Sequence, residues 1–326
     1  MPDRVHAPRG LGGGGTAGGL GSNTEVLGLS DTAFVLLRDL IERRTGMYFD
    51  DAKRPLLADK LSELVTSYGL TSFLDYYYLL RYDSAADEHW SRLADRLAVP
   101  ETYFWRQSEQ LDALARVVAP AHFSRHGDRP LRIWSAACCT GEEPLSIAIA
   151  LAEAGWLDRR PVEIVGSDAS RAMLDRARRG VYGERAFRQL PPDLKRKYFT
   201  YDGNGAWRPD GLLSARIQWR SANLADRAQT APLASADVIF CRNVFIYFSD
   251  AAIRNVVDAF ADYMPDDGHL FLGASESLTR LSQSFDLVEI ERGFAYVKSG
   301  RPTEADRGGR DVPIAEQMLA NRHVQG

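Results

Sequence analysis

The chain has 326 residues, 45% of them hydrophobic and 26% charged, with a formal net charge of -4. That composition supports a sizeable core and two domains, and it excludes a global basic field for nucleic acid or an anionic membrane surface. No uninterrupted apolar run reaches the roughly 18 residues of a membrane helix and the N-terminus lacks the apolar stretch of a signal peptide, so the expected location is cytoplasmic, with no membrane insertion.

Residues 1–26 include Leu11-Gly-Gly-Gly-Gly-Thr-Ala-Gly-Gly-Leu20, which buries too little apolar area to offset its ordering entropy and is expected to be a disordered lead. Over residues 27–97 apolar residues recur at helical spacing, as in Phe34, Leu37 and Ile41, then Leu57, Leu61 and Leu64, with Gly46 and Gly69 as breaks. This predicts a small all-α domain. Within it Tyr76, Tyr77 and Tyr78 read as helix packing, and Arg43, Arg44, Lys53, Arg54 and Lys60 as a solvated basic set suited to an acidic protein surface. A helix over Trp90–Leu97 runs into Ala98-Val-Pro-Glu-Thr-Tyr-Phe-Trp-Arg106, where Pro100 breaks the pattern; residues 98–110 read as a linker. His122 and His126, four apart with no third ligand in sight, read as a surface pair, so no metal is expected.

From Leu131 strands and helices alternate, the pattern of a mostly parallel sheet covered on both faces; residues 111–298 form this α/β domain. The strand candidates are Leu131–Ser135, Val162–Ser167, Ala236–Cys241, His269–Gly273 and a late antiparallel pair, Leu287–Ile290 and Phe294–Val297. Residues 182–219 interrupt the alternation with a polar, glycine-rich stretch around Tyr201-Asp-Gly-Asn-Gly205, which predicts a small inserted β-hairpin subdomain. Residues 299–326 are a polar tail. Cys138, Cys139 and Cys241 suggest no disulfide framework.

The first strand leads through Ala136-Ala-Cys-Cys-Thr-Gly141-Glu142-Glu143-Pro144 into a helix. Small residues let the backbone approach a ligand, as in dinucleotide sites, but two glutamates repel a phosphate held at a helix N-terminus. An adenosine-bearing cation satisfies both conditions, and S-adenosylmethionine, with its sulfonium and ammonium, is one. Pro144 suits the first helical position, which places Glu143 at or just before the N-cap, and a capping role competes with a ligand role. Asp168 closes the second strand, where ribose hydroxyls are accepted in doubly wound folds; the competing reading is the N-cap of the next helix. Arg242, Asn243 and Tyr247 leave the strand Ile239-Phe-Cys241 at the edge that lines such crevices, although Tyr247 also reads as a packed aromatic.

Taken in order, Glu101-Thr-Tyr-Phe-Trp-Arg106, Trp134-Ser-Ala-Ala-Cys-Cys-Thr-Gly-Glu-Glu-Pro144, Gly166-Ser-Asp168, Ala222-Asn-Leu224 and Cys241-Arg-Asn-Val-Phe-Ile-Tyr-Phe248 resemble the CheR family of chemoreceptor glutamate methyltransferases. The resemblance runs from about residue 28 to residue 298. It implies a Rossmann-like S-adenosylmethionine domain with a small inserted β-subdomain behind a receptor-recognising helical domain, acting as a monomer on the cytoplasmic methylation helices of receptors. It makes Thr102, Arg106, Glu143, Asp168, Asn223, Leu224, Arg242 and Asn243 cofactor contacts, and places Arg106 and Tyr247 at the methyl-transfer site. Two departures stand out: Pro100 occupies a position where many members carry Asn, and Ser62 and Glu63 lie where members often carry arginine. Two alternatives keep the fold: a different protein or small-acid acceptor, or a cofactor-binding regulator without activity.

Overall fold

The computed structural model describes residues 27–300; the predicted glycine-rich lead and all but the first two residues of the polar tail lie outside the described residues. Four helices form the first layer: α1 (Asp31–Thr45), α2 (Arg54–Ser67), α3 (Phe73–Tyr82) and α4 (Ala86–Leu97). Ser30 starts α1 by accepting a hydrogen bond from the Ala33 amide, and Gly46 ends it at φ 78°, a left-handed position open to glycine. The predicted stripe residues Phe34, Leu37, Ile41, Leu57, Leu61 and Leu64 meet in one core. Of the three tyrosines only Tyr76 is fully buried there; Tyr78 is exposed, because successive helix residues point in different directions. The last helix starts at Ala86, one turn before the predicted Trp90.

The chain then runs without regular structure to a tight turn over residues 104–107. Phe104, fully buried, anchors that turn against Tyr182, Phe187 and Phe199 at ring distances of 4.8 to 5.0 Å. Next come α5 (Ser108–Ala113), a π-helical turn (Leu114–Val118), α6 (Ala119–His126), β1 (Leu131–Ala136), α7 (Glu142–Glu153), α8 (Trp156–Arg159), β2 (Val162–Asp168) and α9 (Arg171–Arg179). The insert holds β3 (Tyr182–Gly183), α10 (Pro192–Tyr198), β4 (Phe199–Tyr201), β5 (Ala206–Pro209) and α11 (Gly211–Ser214). The chain closes with β6 (Ile217–Ser221), α12 (Arg227–Ala234), β7 (Val238–Cys241), α13 (Asp250–Tyr263), β8 (His269–Leu272), β9 (Phe285–Ile290) and β10 (Gly293–Lys298).

Seven strands pair in the order β6-β2-β1-β7-β8-β10-β9, parallel except for β10, with apolar clusters on both faces. This is the mostly parallel α/β layer the alternation predicts and the Rossmann-like domain the resemblance implies. One strand escaped the sequence: β6 pairs with β2 from Ile164–Ile217 to Asp168–Ser221, so the main sheet resumes inside the stretch assigned to the insert. It is an edge strand with only Ile217 buried, and it carries no apolar run to announce it. The insert is more than a hairpin: β3 adds a third strand to β4 and β5. Its β4–β5 turn is held by Asp202, whose carboxylate accepts from the Asn204 and Ala206 amides.

His122 and His126 are corrected by the fold, being no surface pair. His122 is 6% exposed and bonds the Arg129 carbonyl at 3.0 Å, and His126 pairs with Asp267 at 2.7 Å, at the amino ends of the strands. Among the described residues no group of His, Cys, Asp and Glu could hold a metal ion, and no helix is long and apolar enough to cross a membrane.

Candidate functional site

Because β2, β1, β7 and β8 run parallel, their carboxyl ends open on one edge, and the loops that leave them share it. In the first loop Ala137 and Cys139 adopt φ of 54° and 51°, and Gly141 adopts 94°. A side chain on Gly141 or Gly166 would come within 2.8 Å of Trp219, so the loop lies tight against its neighbours. The Asn243 backbone, at φ 60°, and Trp105 and Gln107 of the linker turn, at 67° and 53°, share the left-handed region. Of the six described non-glycine residues with positive φ, five belong to these three segments. Each such residue costs on the order of 1 kcal/mol or more, and such strain collects at functional sites.

The helix begins earlier than Pro144 implied. Gly141 is the N-cap and α7 starts at Glu142, which puts Glu143 inside the first turn with its side chain free for other bonds. It uses them: Glu143 Oε1 accepts from Ser135 Oγ at 2.7 Å, and Oε2 from Arg242 Nε at 2.6 Å. Arg242 is almost fully buried and donates further to the Arg106 carbonyl at 2.7 Å and to Gln110 Oε1 at 3.2 Å. Gln110 in turn donates to the Leu272 carbonyl at 2.8 Å. Thus one network ties the acidic loop, the linker turn and the ends of β7 and β8, with the arginine charge matched by Glu143.

Asp168 does not cap α9; Ser170 does. Instead the Asp168 carboxylate accepts from the Cys139 amide at 2.9 Å and the Ser170 amide at 2.8 Å, fixing the loop from the next strand. Burial pushes the Asp168 and Glu142 carboxyls above the usual carboxylate range. Burial also pushes the Cys138 thiol well up, and the fields of Asp168, Glu143 and Glu142 push it further. The loop therefore sits in a negative field that favours a cation.

Glu276, which the sequence did not single out, holds the opposite wall. Its carboxylate accepts from the backbone amides of Asn243, Val244, Phe245 and Gly273 at 2.7 to 2.8 Å. Gly273 is obligatory, since a Cβ there would lie 2.9 Å from the Asn243 nitrogen. The only local sign is an acid three residues after a glycine at a strand exit. Held this way, Asn243 keeps a buried Oδ1 that meets no hydrogen-bond partner. Such an orphan acceptor costs about 1–3 kcal/mol and points to a missing donor.

Tyr247 stands beside this wall, half-buried. Burial raises its phenol pKa, the fields of Glu101, Cys139 and Glu276 raise it further, and Arg106 opposes them. Arg106 donates to the Glu101 carbonyl at 3.2 Å, and its guanidinium lies 5.2 Å from the Tyr103 ring centre. The Tyr247 carbonyl accepts from the Tyr48 amide at 2.8 Å, so the helical domain buttresses the site.

The structure thus gathers Arg106, Glu143, Asp168, Arg242, Asn243 and Tyr247 around the acidic loop, with Thr102 half-buried on the adjoining linker. Asn223 and Leu224 follow β6 and their side chains have other tasks. Asn223 Nδ2 donates to the Arg44 carbonyl of the helical domain at 2.6 Å, and Leu224 packs in the core. The unpartnered Asn243 acceptor, the negative loop and the acid at the end of β2 together fit a cationic nucleoside such as S-adenosylmethionine.

Comparison with known proteins gives the same direction. Residues 100–294 match the family model described as "CheR methyltransferase, SAM binding domain", and residues 32–98 match "CheR methyltransferase, all-alpha domain". Chemotaxis protein methyltransferase 2 of Vibrio cholerae is 33% identical over 284 residues, covering 86% of this chain and 98% of that one. Chemotaxis protein methyltransferase 1 of Pseudomonas aeruginosa is 32% identical over 269 residues, covering 81% of this chain and 96% of that one. Among solved structures, an O-methyltransferase family protein from Burkholderia thailandensis aligns at TM-score 0.35 and 12% identity over 68% of this chain and 62% of that one.

Proposed function

Since the chain belongs to the CheR methyltransferase family, we propose that it methylates glutamate side chains on the cytoplasmic methylation helices of chemoreceptors, forming methyl esters. It is an S-adenosylmethionine-dependent methyltransferase of chemosensory signalling. The glutamate acceptor, the cytoplasmic location and action as a monomer belong to the proposal. The observation that carries it is the position of Arg106 and Tyr247 between a strained acidic loop and the opposite wall, where the Asn243 acceptor lacks a partner.

Bound S-adenosylmethionine supplies an electrophilic methyl group. A glutamate acceptor is already ionised at neutral pH, so this chain has no proton to abstract and needs no strong base. Its residues have to align and desolvate. Asn243 Oδ1 would accept a cofactor N–H or O–H and Asp168 would accept from its ribose hydroxyls, while the Glu143–Arg242 pair fixes the acidic loop beside them. Thr102 and the Asn223–Leu224 backbone complete the walls. Arg106 orients the acceptor carboxylate; the Tyr247 phenol, neutral at pH 7 as an ordinary tyrosine is, donates a hydrogen bond beside it.

The test is incubation with methyl-labelled S-adenosylmethionine and purified receptor cytoplasmic domains. Base-labile label on receptor glutamates is expected, abolished or strongly reduced in Arg106→Ala and reduced in Tyr247→Phe. Label that resists base, or full turnover in both variants, rejects the assignment.

A further inference from the structure

On the insert side of the linker lies a cavity of 420 Å³, within the range of small-ligand sites, with Arg176, Arg185 and Arg188 at its rim and Thr140 and Glu142 at its floor. Its acids are spoken for. Glu101 pairs with Arg185 at 3.1 Å, and Glu142 accepts from Thr140 Oγ1 at 2.7 Å. The other two guanidiniums have no carboxylate within bonding distance among the described residues. Arg188 donates to the Arg185 carbonyl and lies 3.7 Å from the Tyr103 ring centre, and both it and Arg176, exposed on α9, reach Glu142 only through their fields.

In the helical domain Arg44 pairs with Asp87, Lys53 with Asp50, Arg54 with Asp31 and Arg96 with Glu63, whereas Lys60 and Arg92 bond only a carbonyl and a hydroxyl. Of the arginines without a carboxylate partner, Arg176 and Arg188 are the two that line this cavity. Its wall is also the wall of the reaction site, since Glu101 and Thr102 line it and Arg106 donates to the Glu101 carbonyl. Arg188 and Arg106 stand against the same Tyr103 ring, at 3.7 and 5.2 Å from its centre, so the cavity's arginines adjoin that site.

We propose that this cavity is a substrate subsite, in which Arg176 and Arg188 hold a second, unmethylated carboxylate of the methyl-accepting protein. This rests on the reading of the chain as a protein-carboxylate methyltransferase. Guanidiniums suit the task because they bind carboxylates through paired N–H donors and carry charge at every physiological pH. The subsite selects acceptor sites flanked by acids, and it loses nothing when the acceptor itself becomes a neutral ester.

The experiment measures initial rates with the full chain and a receptor cytoplasmic domain, for the unmodified protein, Arg176→Ala/Arg188→Ala and Arg176→Glu. A single charge-assisted carboxylate contact is worth about tenfold. The receptor KM is expected to rise about tenfold in the double variant and further in Arg176→Glu, with kcat and the KM for S-adenosylmethionine changed less than about twofold. Replacing acids that flank the receptor's acceptor glutamate with glutamine should cost the unmodified protein the same factor and the double variant nothing more. An unchanged receptor KM overturns the proposal. So does a raised KM for S-adenosylmethionine, which gives the cavity to the cofactor, or inhibition by free glutarate that Arg176→Ala relieves with no effect of the flanking acids. If the unmodified protein forms no base-labile esters on any receptor domain, the underlying reading fails first, and it does so before any variant is compared.

Discussion

The two ends of the central sheet use the same residue types to opposite effect. At the amino ends, Asp237 accepts from Arg129 at 2.7 Å and from the Arg132 amide at 2.9 Å, and Asp267 accepts from His126 at 2.7 Å and Arg125 at 2.9 Å. At the carboxyl ends, half-buried Asp168 and buried Glu142 have only hydroxyl and amide partners, Asn243 Oδ1 has none, and the backbone is strained in three segments. One end is finished by the fold and the other is left for a ligand to finish. Stability and function are thereby separated along a single set of strands.

The sharpest way to break this contrast is at the function end. Arg106→Ala should lower methyl-transfer kcat/KM by roughly 10²–10³-fold while leaving the melting temperature nearly unchanged, since its guanidinium bonds only one carbonyl. Equal losses of activity and stability would erase the distinction. The converse is Asp237→Ala, which strips a nearly buried carboxylate from Arg129 and the β1 backbone. It should cost about 3 kcal/mol in denaturant unfolding, with kcat per folded molecule unchanged.

Smaller effects sharpen the comparison at its border. Glu276→Gln replaces one of two accepting oxygens with an amide group facing backbone N–H groups, so stability should fall by about 2 kcal/mol and calorimetric affinity for S-adenosylmethionine about tenfold. Asn243→Gly removes the orphan acceptor and relaxes the φ of 60°, so the free protein should change by less than about 1 kcal/mol while cofactor affinity falls about tenfold.

The smallest effect is in pH. Burial alone would raise the Asp267 carboxyl, but the His126 and Arg125 hydrogen bonds overcome it and hold the group well below the usual carboxylate range. A depressed pKa contributes stability that is complete above the unfolded value near 4 and is lost as the pH falls below it. Asp267→Asn should therefore lower the melting temperature at pH 7, and the gap to the unmodified protein should close progressively below about pH 4. A gap that persists at the lowest pH would assign the loss to packing.

Much of this was legible in local pattern. The helical stripes around Leu37 and Leu61 and the apolar strands at Ile133 and Ile239 gave the two layers, because a buried face imposes its period on the sequence. The loop from Ala136 to Glu143 announced its chemistry through small residues beside acids. What was not legible lacked a period. Only Ile217 of β6 is fully buried, and Gln110 and Glu276 act through bonds to residues far away in sequence or to backbone amides.

By itself, then, the sequence determined the layers, the crevice edge and the charge of the loop, all of which follow from contacts between residues a few positions apart. The tertiary structure alone decided who answers that charge. Glu143 finds Arg242 across 99 positions, and Gln110 finds Leu272 across 162. It also decided that Asn243 Oδ1 is left unanswered and that Arg176 and Arg188 gather beside the linker with no carboxylate partner among the described residues. Pairings at such separations are set by which loops share a sheet edge, and that is fixed only when the strands have assembled.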